Sequence, residues 1–116
     1  MPKSKRQLRE ARKKRIRNRI MGTPNRPRLS VYRSLRYVYA QLIDDVNGRT
    51  VASASSLKLK GKGKANLAAG EKVGAELAKA ALVAQIREAA FDRNGFLYHG
   101  VIKSIADAAR KGGLNF

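Results

Sequence analysis

The chain has 116 residues, contains no cysteine, and carries a formal net charge of +18 at pH 7, from 26 Lys and Arg against 8 Asp and Glu. The length fits one small domain with an appendage. The lack of cysteine excludes a disulfide framework and thiolate metal sites, and a single histidine argues against a histidine-based zinc site. Because so large a charge makes a compact chain repel itself, the composition predicts a protein that binds a polyanion.

Hydrophobic patterning gives no indication of a membrane or export segment. No uncharged apolar run approaches the roughly 18 residues that a membrane span needs. The N-terminus is basic, but no apolar stretch follows it, so we expect no secretory signal. These observations predict a cytoplasmic protein without a membrane partner.

Most of the excess charge lies in residues 1–28, which hold twelve Lys or Arg and one acidic residue, Glu10. Apolar residues are too sparse there to form a core, and the like charges repel each other along a helix. We therefore expect the first 21 residues to be disordered in the free protein, and to order as a helix over residues 7–19 once phosphates neutralise them. A solvated tail or a localisation signal is the alternative interpretation, but ten cations within residues 3–19 favour a binding arm.

The Gly-Thr-Pro-Asn-Arg-Pro segment at residues 22–27 is predicted to end that helix and to act as a hinge. The chain is therefore expected to divide into a basic RNA-binding arm with its hinge, residues 1–25, and a globular RNA-binding domain, residues 26–116.

Alternation of apolar and polar residues predicts an antiparallel three-stranded meander from residue 28 to residue 55. A turn at residues 34–36 separates the first two strands. The Asn47-Gly48 pair supplies positive φ angles and predicts a hairpin before the third strand, residues 49–55. Leu29, Val31 and Arg33 share one face of the first strand, and Val38, Ala40 and Leu42 share one face of the second; Val31, Val38 and Leu42 are predicted to lie in the core.

Helical periodicity begins after Asn66, a residue type that caps helices, and fades near Gln85. A short strand is expected within residues 86–91, and a second helix over about residues 101–111, closed by Gly112-Gly113. The apolar stripe of the first helix is Gly70, Val73, Leu77, Ala80, Ala81 and Ala84, and that of the second is Ile102, Ile105, Ala106 and Ala109.

The predicted order is β-β-β-α-β-α, an α+β fold preceded by the basic arm. Its mixed sheet combines three antiparallel strands with one returning parallel strand, and its helices cover one face and leave the other open.

Catalysis has little support in the sequence. Asp44 and Asp45 are adjacent, so on a strand their side chains point to opposite faces and cannot act as a pair. Asp92 and His99 lack a nucleophile or a third partner. We therefore expect no enzyme, no small-molecule substrate, no cofactor and no metal site.

Four segments carry side chains typical of RNA-binding proteins. Cations of the arm suit phosphates, and tyrosines on the open sheet face can stack on bases or bond ribose 2′-hydroxyls. The loops at residues 58–64 and 92–100 add lysines and further polar and aromatic groups. Packing against a helix is the alternative role for each tyrosine, and a solubilising role is the alternative for the lysines of residues 58–64. The candidate contacts from the arm are Lys3, Lys5, Arg6, Arg9, Arg12, Lys13, Lys14, Arg15, Arg17 and Arg19; those from the sheet are Ser30, Tyr32, Ser34, Tyr37, Tyr39 and Gln41; those from the loop and the helix after it are Arg93, Asn94, Gly95, Tyr98, His99, Gly100 and Lys103.

Three motifs give the chain a resemblance to a known family. They are RPRLSVYRS with YAQLIDD at residues 26–34 and 39–45, FDRNGFLYHG at residues 91–100, and ADAARKGGL at residues 106–114. In this order and over essentially the whole chain, they resemble the family of the bacterial large-subunit ribosomal protein numbered eighteen. Ala89-Ala90 departs from the β-branched pair usual in that family.

The resemblance implies a non-catalytic protein of the large ribosomal subunit that binds 5S rRNA. It would help to attach the 5S rRNA to the 23S rRNA in the central protuberance, beside the ribosomal protein numbered five and, in some bacteria, another 5S-binding protein. By position, the arm, residues 26–28, the loop at 93–100 and the turn at 33–37 match RNA-contacting parts of the family. Residues 26–28 add Arg26 and Arg28 as candidates, and the turn adds Arg33 and Arg36. The loop near residues 58–66 is variable in the family and receives no specific contact.

Two other functions are weighed against this one. A general nucleic-acid compaction protein would need a dimerisation arm or a groove-reading helix, and neither is recognisable. A membrane-active cationic peptide would need a continuous apolar face, for which Leu8, Ile16 and Ile20 are too sparse. For the ribosomal function we expect Arg15→Ala to weaken binding to all RNAs alike, and Tyr98→Ala to reduce the preference for 5S rRNA.

Overall fold

The computed structural model describes residues 4–17, 20–56 and 65–116, without the side chain of Arg17. The helices and strands within these ranges are α1 (Lys5–Arg17), β1 (Arg28–Arg33), β2 (Val38–Asp44), β3 (Arg49–Ser55), α2 (Leu67–Val83), β4 (Ala90–Asp92) and α3 (Val101–Lys111). The predicted order after the arm is confirmed, and the bounds of β3 and α3 are those expected from the sequence.

The four strands form one mixed sheet in the order β3-β2-β1-β4. β1 pairs antiparallel with β2, β2 pairs antiparallel with β3, and β4 returns parallel to β1. The predicted α+β class is therefore confirmed. α2 packs on β2 and β3, α3 packs on β1, and the two helices pack on each other.

The last strand is shorter, and begins later, than the predicted range of residues 86–91. Gln85 has a positive φ of 61°, and the amide of Ile86 donates to the carbonyl of Ala81 as the α2 helix ends. Residues 87–89 then pair with the C-terminal segment through a parallel bridge between Glu88 and Asn115. Only residues 90–92 reach β1, so the local end of α2 and this bridge determine where β4 starts.

The core lies between the sheet and the helix pair. The predicted core residues of β1 and β2, Val31, Val38 and Leu42, have no exposed surface, and neither have Leu29 and Ala40, whereas Arg33 is exposed. On α2 the predicted stripe is wrong at Ala84, which is the exposed C-cap, whereas Gly74 and Ala78 are buried in the interface with α3. A Cβ on Gly74 would collide with the carbonyl oxygen of Ile105, so glycine permits the close approach of the two helices.

The hairpin turn between β2 and β3 is organised by a buried carboxylate. Asp44 accepts hydrogen bonds from the side-chain amide of Asn47 at 2.7 Å and from the backbone amides of Val46 and Asn47 at 3.0 and 3.3 Å. These bonds, with the side chain of Asn47 first, lower the pKa of Asp44 despite its burial. Gly48 has a positive φ of 64°, as the Asn-Gly signal predicts.

The segment predicted to act as a hinge is bonded to this turn. The amide of Gly22 donates to Asp45 Oδ2 at 2.7 Å, and the amide of Asp45 donates to the carbonyl of Gly22 at 2.9 Å. Gly22 is buried, and a Cβ there would collide with the carbonyl oxygen of Ile43. The chain therefore reaches β1 through a fixed connection rather than through a free linker.

Candidate nucleic-acid interface

The open face of the sheet carries two cross-strand pairs of side chains, one polar and one aromatic. In register, Ser30 lies opposite Gln41, and Tyr32 lies opposite Tyr39. The ring centroids of Tyr32 and Tyr39 are 6.1 Å apart, and those of Tyr37 and Tyr39 are 6.4 Å apart. The three tyrosines therefore form one row, and Tyr32 at its end is 43% exposed.

Phe96 extends this row beyond the sheet. Its ring contacts Tyr32 edge to face with centroids 5.7 Å apart. We refer to Tyr37, Tyr39, Tyr32 and Phe96 as the aromatic row. Phe96 was not among the predicted contacts, although it is an aromatic residue in the candidate loop at residues 92–100.

A tight turn places Phe96 at this position. Asn94 and Gly95 both have positive φ, 54° and 76°, and the amide of Phe96 donates to the carbonyl of Arg93 at 3.0 Å. Positive φ at both central residues is the reason why Asn-Gly is favoured in such turns. We refer to residues 93–96 as the Asn-Gly turn.

The arm helix rests on the Asn-Gly turn. Arg12 Nε donates to the carbonyl oxygen of Gly95 at 2.9 Å, and Arg9 Nη1 donates to that of Asn94 at 3.3 Å. The guanidinium carbon of Arg9 lies 4.7 Å from the ring centroid of Phe96. A Cβ on Gly95 would collide with the backbone carbonyl of Arg9, so the helix backbone lies directly against this glycine.

The start of α1 differs from the predicted residue 7 because of a capping box. Gln7 N donates to Ser4 Oγ at 3.1 Å, and Ser4 N donates to Gln7 Oε1 at 2.8 Å. This reciprocal pair satisfies two amides of the first turn and starts the helix at Lys5. The predicted end at residue 19 lies outside the described residues.

The cations of α1 differ in exposure. Arg9, Arg12 and Lys13 are partly buried on the side that faces the Asn-Gly turn, together with Ile16. The exposed cations of the helix are Lys5, Arg6, Lys14 and Arg15. Of the other predicted arm contacts, Lys3, Arg19 and the side chain of Arg17 lie outside the described part of the chain, as do the lysines of residues 58–64.

Arg28, a predicted RNA contact, is buried in an ion-pair cluster instead. Its Nε and Nη2 donate to the two carboxylate oxygens of Asp45 at 3.0 and 3.1 Å, and its Nη1 donates to Asp92 Oδ2 at 2.7 Å. The hydrogen bonds to Asp45, and then those to Asp92, raise the pKa of Arg28 against the opposing effect of burial. With 8% of its surface exposed, Arg28 ties β1 to the β2–β3 turn and to the end of β4.

The predicted loop residues do not gather at one place. Tyr98 turns away from the aromatic row, contacts the ring of Phe91 edge to face, and accepts a 2.9 Å hydrogen bond from Arg110. His99, Gly100 and Lys103 line a groove of about 940 Å³ between α2 and α3. Asn94 and Gly95 are buried beneath α1, and the side chain of Arg93 bonds back to the carbonyl of Phe96.

The remaining predicted contacts lie at or near the open face. Arg26, Arg33, Arg36 and Gln41 are exposed, whereas Ser34 shares hydrogen bonds with the backbone of Tyr37 across the turn between β1 and β2. The structure therefore brings the tyrosines, Gln41 and the α1 helix to one side of the domain. We refer to the aromatic row, Gln41 and the exposed cations of α1 as the sheet–arm surface.

Other kinds of site find no support in the described ranges. No three His, Cys, Asp or Glu side chains there are grouped so that they could hold a metal ion. A helix with the length and apolarity of a membrane span does not occur among residues 4–17, 20–56 and 65–116. Asp92, considered above as a partner of His99, is instead paired with Arg28.

Comparison with known proteins places this architecture in a family. A family model described as ribosomal L18 of archaea, bacteria, mitochondria and chloroplasts matches residues 3–116. The chain belongs to the ribosomal L18 family. As a member, it is a structural protein of the large ribosomal subunit and not an enzyme, as the sequence analysis predicted.

Individual bacterial members of the L18 family are similar to this chain over almost its full length. The protein named large ribosomal subunit protein uL18 from Porphyromonas gingivalis is 60% identical over 114 residues, which cover 97% of this chain and 98% of that protein. The protein of the same name from Dictyoglomus turgidum is 51% identical over 118 residues, which cover 98% of this chain and 97% of that protein. The protein of the same name from Caldanaerobacter subterraneus is 51% identical over 116 residues, which cover 97% of this chain and 96% of that protein. Bacterial large ribosomal subunits are cytoplasmic, so the predicted location, the cytoplasm, is confirmed by the family.

Proposed function

We propose that this L18 family member binds 5S rRNA and helps to attach it to 23S rRNA in the central protuberance of the large subunit. The observation that carries the proposal is the sheet–arm surface, which joins a row of aromatic rings to exposed cations. Aromatic side chains on an open sheet suit unstacked RNA bases, and cations beside them suit phosphates. We include the ribosomal protein numbered five, and in some bacteria another 5S-binding protein, as neighbours.

The proposed contacts follow exposure in the structure. In this proposal Tyr32, Tyr39 and Gln41 contact bases and ribose, and the exposed cations of α1 contact phosphates. Arg26, Arg33 and Arg36 extend the positive surface around the sheet edge and its turn. Arg28, by contrast, is assigned to folding, because both neighbouring carboxylates already engage its guanidinium.

Two groups of predicted contacts lie apart from this surface. Tyr98 and the residues of the α2–α3 groove, His99, Gly100 and Lys103, are kept as a second, separate RNA-facing region. The ring of Tyr98 packs on Phe91 and its hydroxyl accepts a bond from Arg110. The Tyr98→Ala variant therefore tests this second region and not the aromatic row.

The test is a filter-binding titration against 5S rRNA, a transfer RNA of similar length, and duplex DNA at several salt concentrations. We expect a preference for 5S rRNA that persists near physiological salt. Tyr39→Ala is expected to reduce this preference by about 1–3 kcal/mol, the usual contribution of one base stacked on an aromatic ring, while Tyr39→Phe keeps the ring and most of the preference.

Arg15→Ala has a different expected effect, because a phosphate contact carries no sequence information. It should weaken all three complexes alike and lower the salt slope by about one. Lys72→Ala, which removes an exposed charge from α2 on the other side of the sheet, is the matched control and should change neither quantity. Equal, salt-labile binding to all three nucleic acids would refute the proposal and would favour general nucleic-acid compaction.

A further inference from the structure

The two hairpin turns of the sheet each expose an apolar side chain, but the charges around these side chains differ. Leu35, in the turn between β1 and β2, is 99% exposed, and Val46, in the turn between β2 and β3, is 58% exposed. Leu35 lies between the exposed cations Arg33 and Arg36, whereas Val46 stands between two aspartates and the Asn-Gly pair. The first turn therefore suits a polyanionic partner and the second does not.

Hydrogen bonds between Ser34 and Tyr37 close the first turn. The amide of Ser34 donates to the carbonyl of Tyr37 at 2.9 Å, and the amide of Tyr37 donates to Ser34 Oγ at 3.0 Å. The amide of Val38 then donates to Ser56 Oγ at 2.9 Å, which ties the end of the turn to the segment after β3. The backbone that carries Leu35 is thus fixed, so a partner that binds there loses little affinity to ordering of the turn.

Neither the turn nor the core explains why a leucine stands at this position. Turns favour Gly, Pro, Asn, Asp and Ser, whose backbone or side chain supports the reversal of the chain, and leucine offers no such support. With 99% of its surface exposed, Leu35 also adds nothing to the core. An exposed apolar side chain between two cations suits a partner that is anionic and also has apolar faces. Unpaired RNA nucleotides combine both properties, because a charged phosphate and the flat face of a base lie within one unit.

We propose that Leu35 packs on the face of an unpaired base of the bound RNA, while Arg33 and Arg36 bind phosphates on either side of it. Leucine is among the apolar side chains that proteins insert against bases. Tyr37, which closes the turn, also belongs to the aromatic row, so this contact continues the base-binding surface beyond the strands. The inference rests on the proposed binding of 5S rRNA and adds an apolar contact that salt does not screen.

A titration of variants against 5S rRNA tests the contact. Leu35→Ala should lower the affinity by about three- to tenfold, the loss expected when an apolar side chain is removed from a partly buried contact, and should leave the salt slope unchanged. Leu35→Met keeps the apolar volume and should keep the affinity. Arg36→Gln should lower the slope by about one. Val46→Ala, the matched control in the other hairpin turn, should change neither quantity. Equal affinities of Leu35→Ala and Val46→Ala would overturn the inference.

Thiol protection locates the contact directly. Because the chain contains no cysteine, Leu35→Cys and Val46→Cys each carry a single thiol. Each is alkylated with iodoacetamide, a neutral reagent, alone and with saturating 5S rRNA, transfer RNA, duplex DNA or phosphatidylglycerol vesicles. Because alkylation requires access to the thiol, we expect 5S rRNA to slow the reaction at position 35 by about tenfold and at position 46 by less than about twofold. Protection of position 35 by the vesicles and not by 5S rRNA would overturn the inference in favour of a membrane contact.

The contact of Leu35 and the proposed function fail separately. If the unmodified protein prefers 5S rRNA but the thiol at position 35 stays reactive in the complex, the contact is refuted and the proposed function stands. If the unmodified protein binds all three nucleic acids equally, the proposed function is refuted. In that case, protection of position 35 by the two RNAs and not by duplex DNA still supports a contact with an unpaired base, whereas equal protection by duplex DNA refutes it.

Discussion

Replacing Arg28 is expected to destabilise the fold strongly, because this side chain joins three separate parts of the chain, β1, the β2–β3 turn and the end of β4. Its guanidinium reaches Asp45 in the β2–β3 turn and Asp92 at the end of β4. Asp45 in turn binds the amide of Gly22, and Asp92 binds that of Asn94 at 2.8 Å. Loss of Arg28 therefore affects the segment before β1, the hairpin turn and the loop that supports α1.

The size of the effect follows from the burial of the carboxylates. The Asp92 side chain has no exposed surface, whereas that of Asp45 is 27% exposed. Removing one partner of a buried ion pair costs about 3–5 kcal/mol, and the partial exposure of Asp45 places Arg28→Ala near the lower end, at about 3 kcal/mol. For a domain of this size that loss corresponds to a melting temperature lower by roughly 12–16 °C.

Urea unfolding followed by circular dichroism measures this loss. Arg33→Ala is the matched control, since it removes the same charge from the exposed end of the same strand and is expected to change stability by no more than about 0.5 kcal/mol. Adding Asp92→Asn to Arg28→Ala should recover part of the stability, because it replaces the buried carboxylate, which has lost the cation Arg28, by a neutral amide. A free energy of unfolding for Arg28→Ala equal to that of Arg33→Ala would refute the structural assignment of Arg28.

Two further predictions concern the hairpin turn and the helix interface. Folding lowers the pKa of Asp44, so its carboxylate stabilises the protein above the ordinary aspartate pKa of about 4, and this stabilisation is lost as the pH falls through the folded-state pKa. Urea titrations should therefore find Asp44→Asn less stable than the unmodified protein at pH 7, with a smaller difference at pH 2.5, and a difference independent of pH would contradict this role. Gly74→Ala should destabilise the protein by about 1–2 kcal/mol, because overpacking against Ile105 exceeds the gain of about 1 kcal/mol in helix propensity. Ala75→Gly on the exposed side of α2 measures that propensity in place, and a stabilised Gly74→Ala would show that the helices can separate without cost.

Features that depend on neighbours along the chain were predictable from the sequence. The alternation in β1 and β2, the Asn47-Gly48 turn and the N-cap at Asn66 all occur as expected, because each is determined by residues within a few positions. The start of α1 belongs to the same class, since the Ser4–Gln7 capping box is a local signal that the sequence analysis overlooked.

Features that depend on distant segments were not predictable. Arg28 carries the same charge as its neighbour Arg26, yet it is buried while Arg26 is exposed, because two aspartates from other parts of the chain surround it. Tyr98 and Phe96 are two residues apart in one loop, but they face different clusters. No local pattern distinguishes the members of such pairs.

The sequence by itself determined the strand and helix order, the open tyrosine-bearing face and the excess of positive charge, because periodicity and composition act through local conformation and net electrostatics. Tertiary structure alone decided which cations are available. Arg28 is taken up by Asp45 and Asp92, and Arg9 and Arg12 by the carbonyls of the Asn-Gly turn. Charge is a property of each residue, but its availability depends on which acceptors the fold brings within hydrogen-bonding distance.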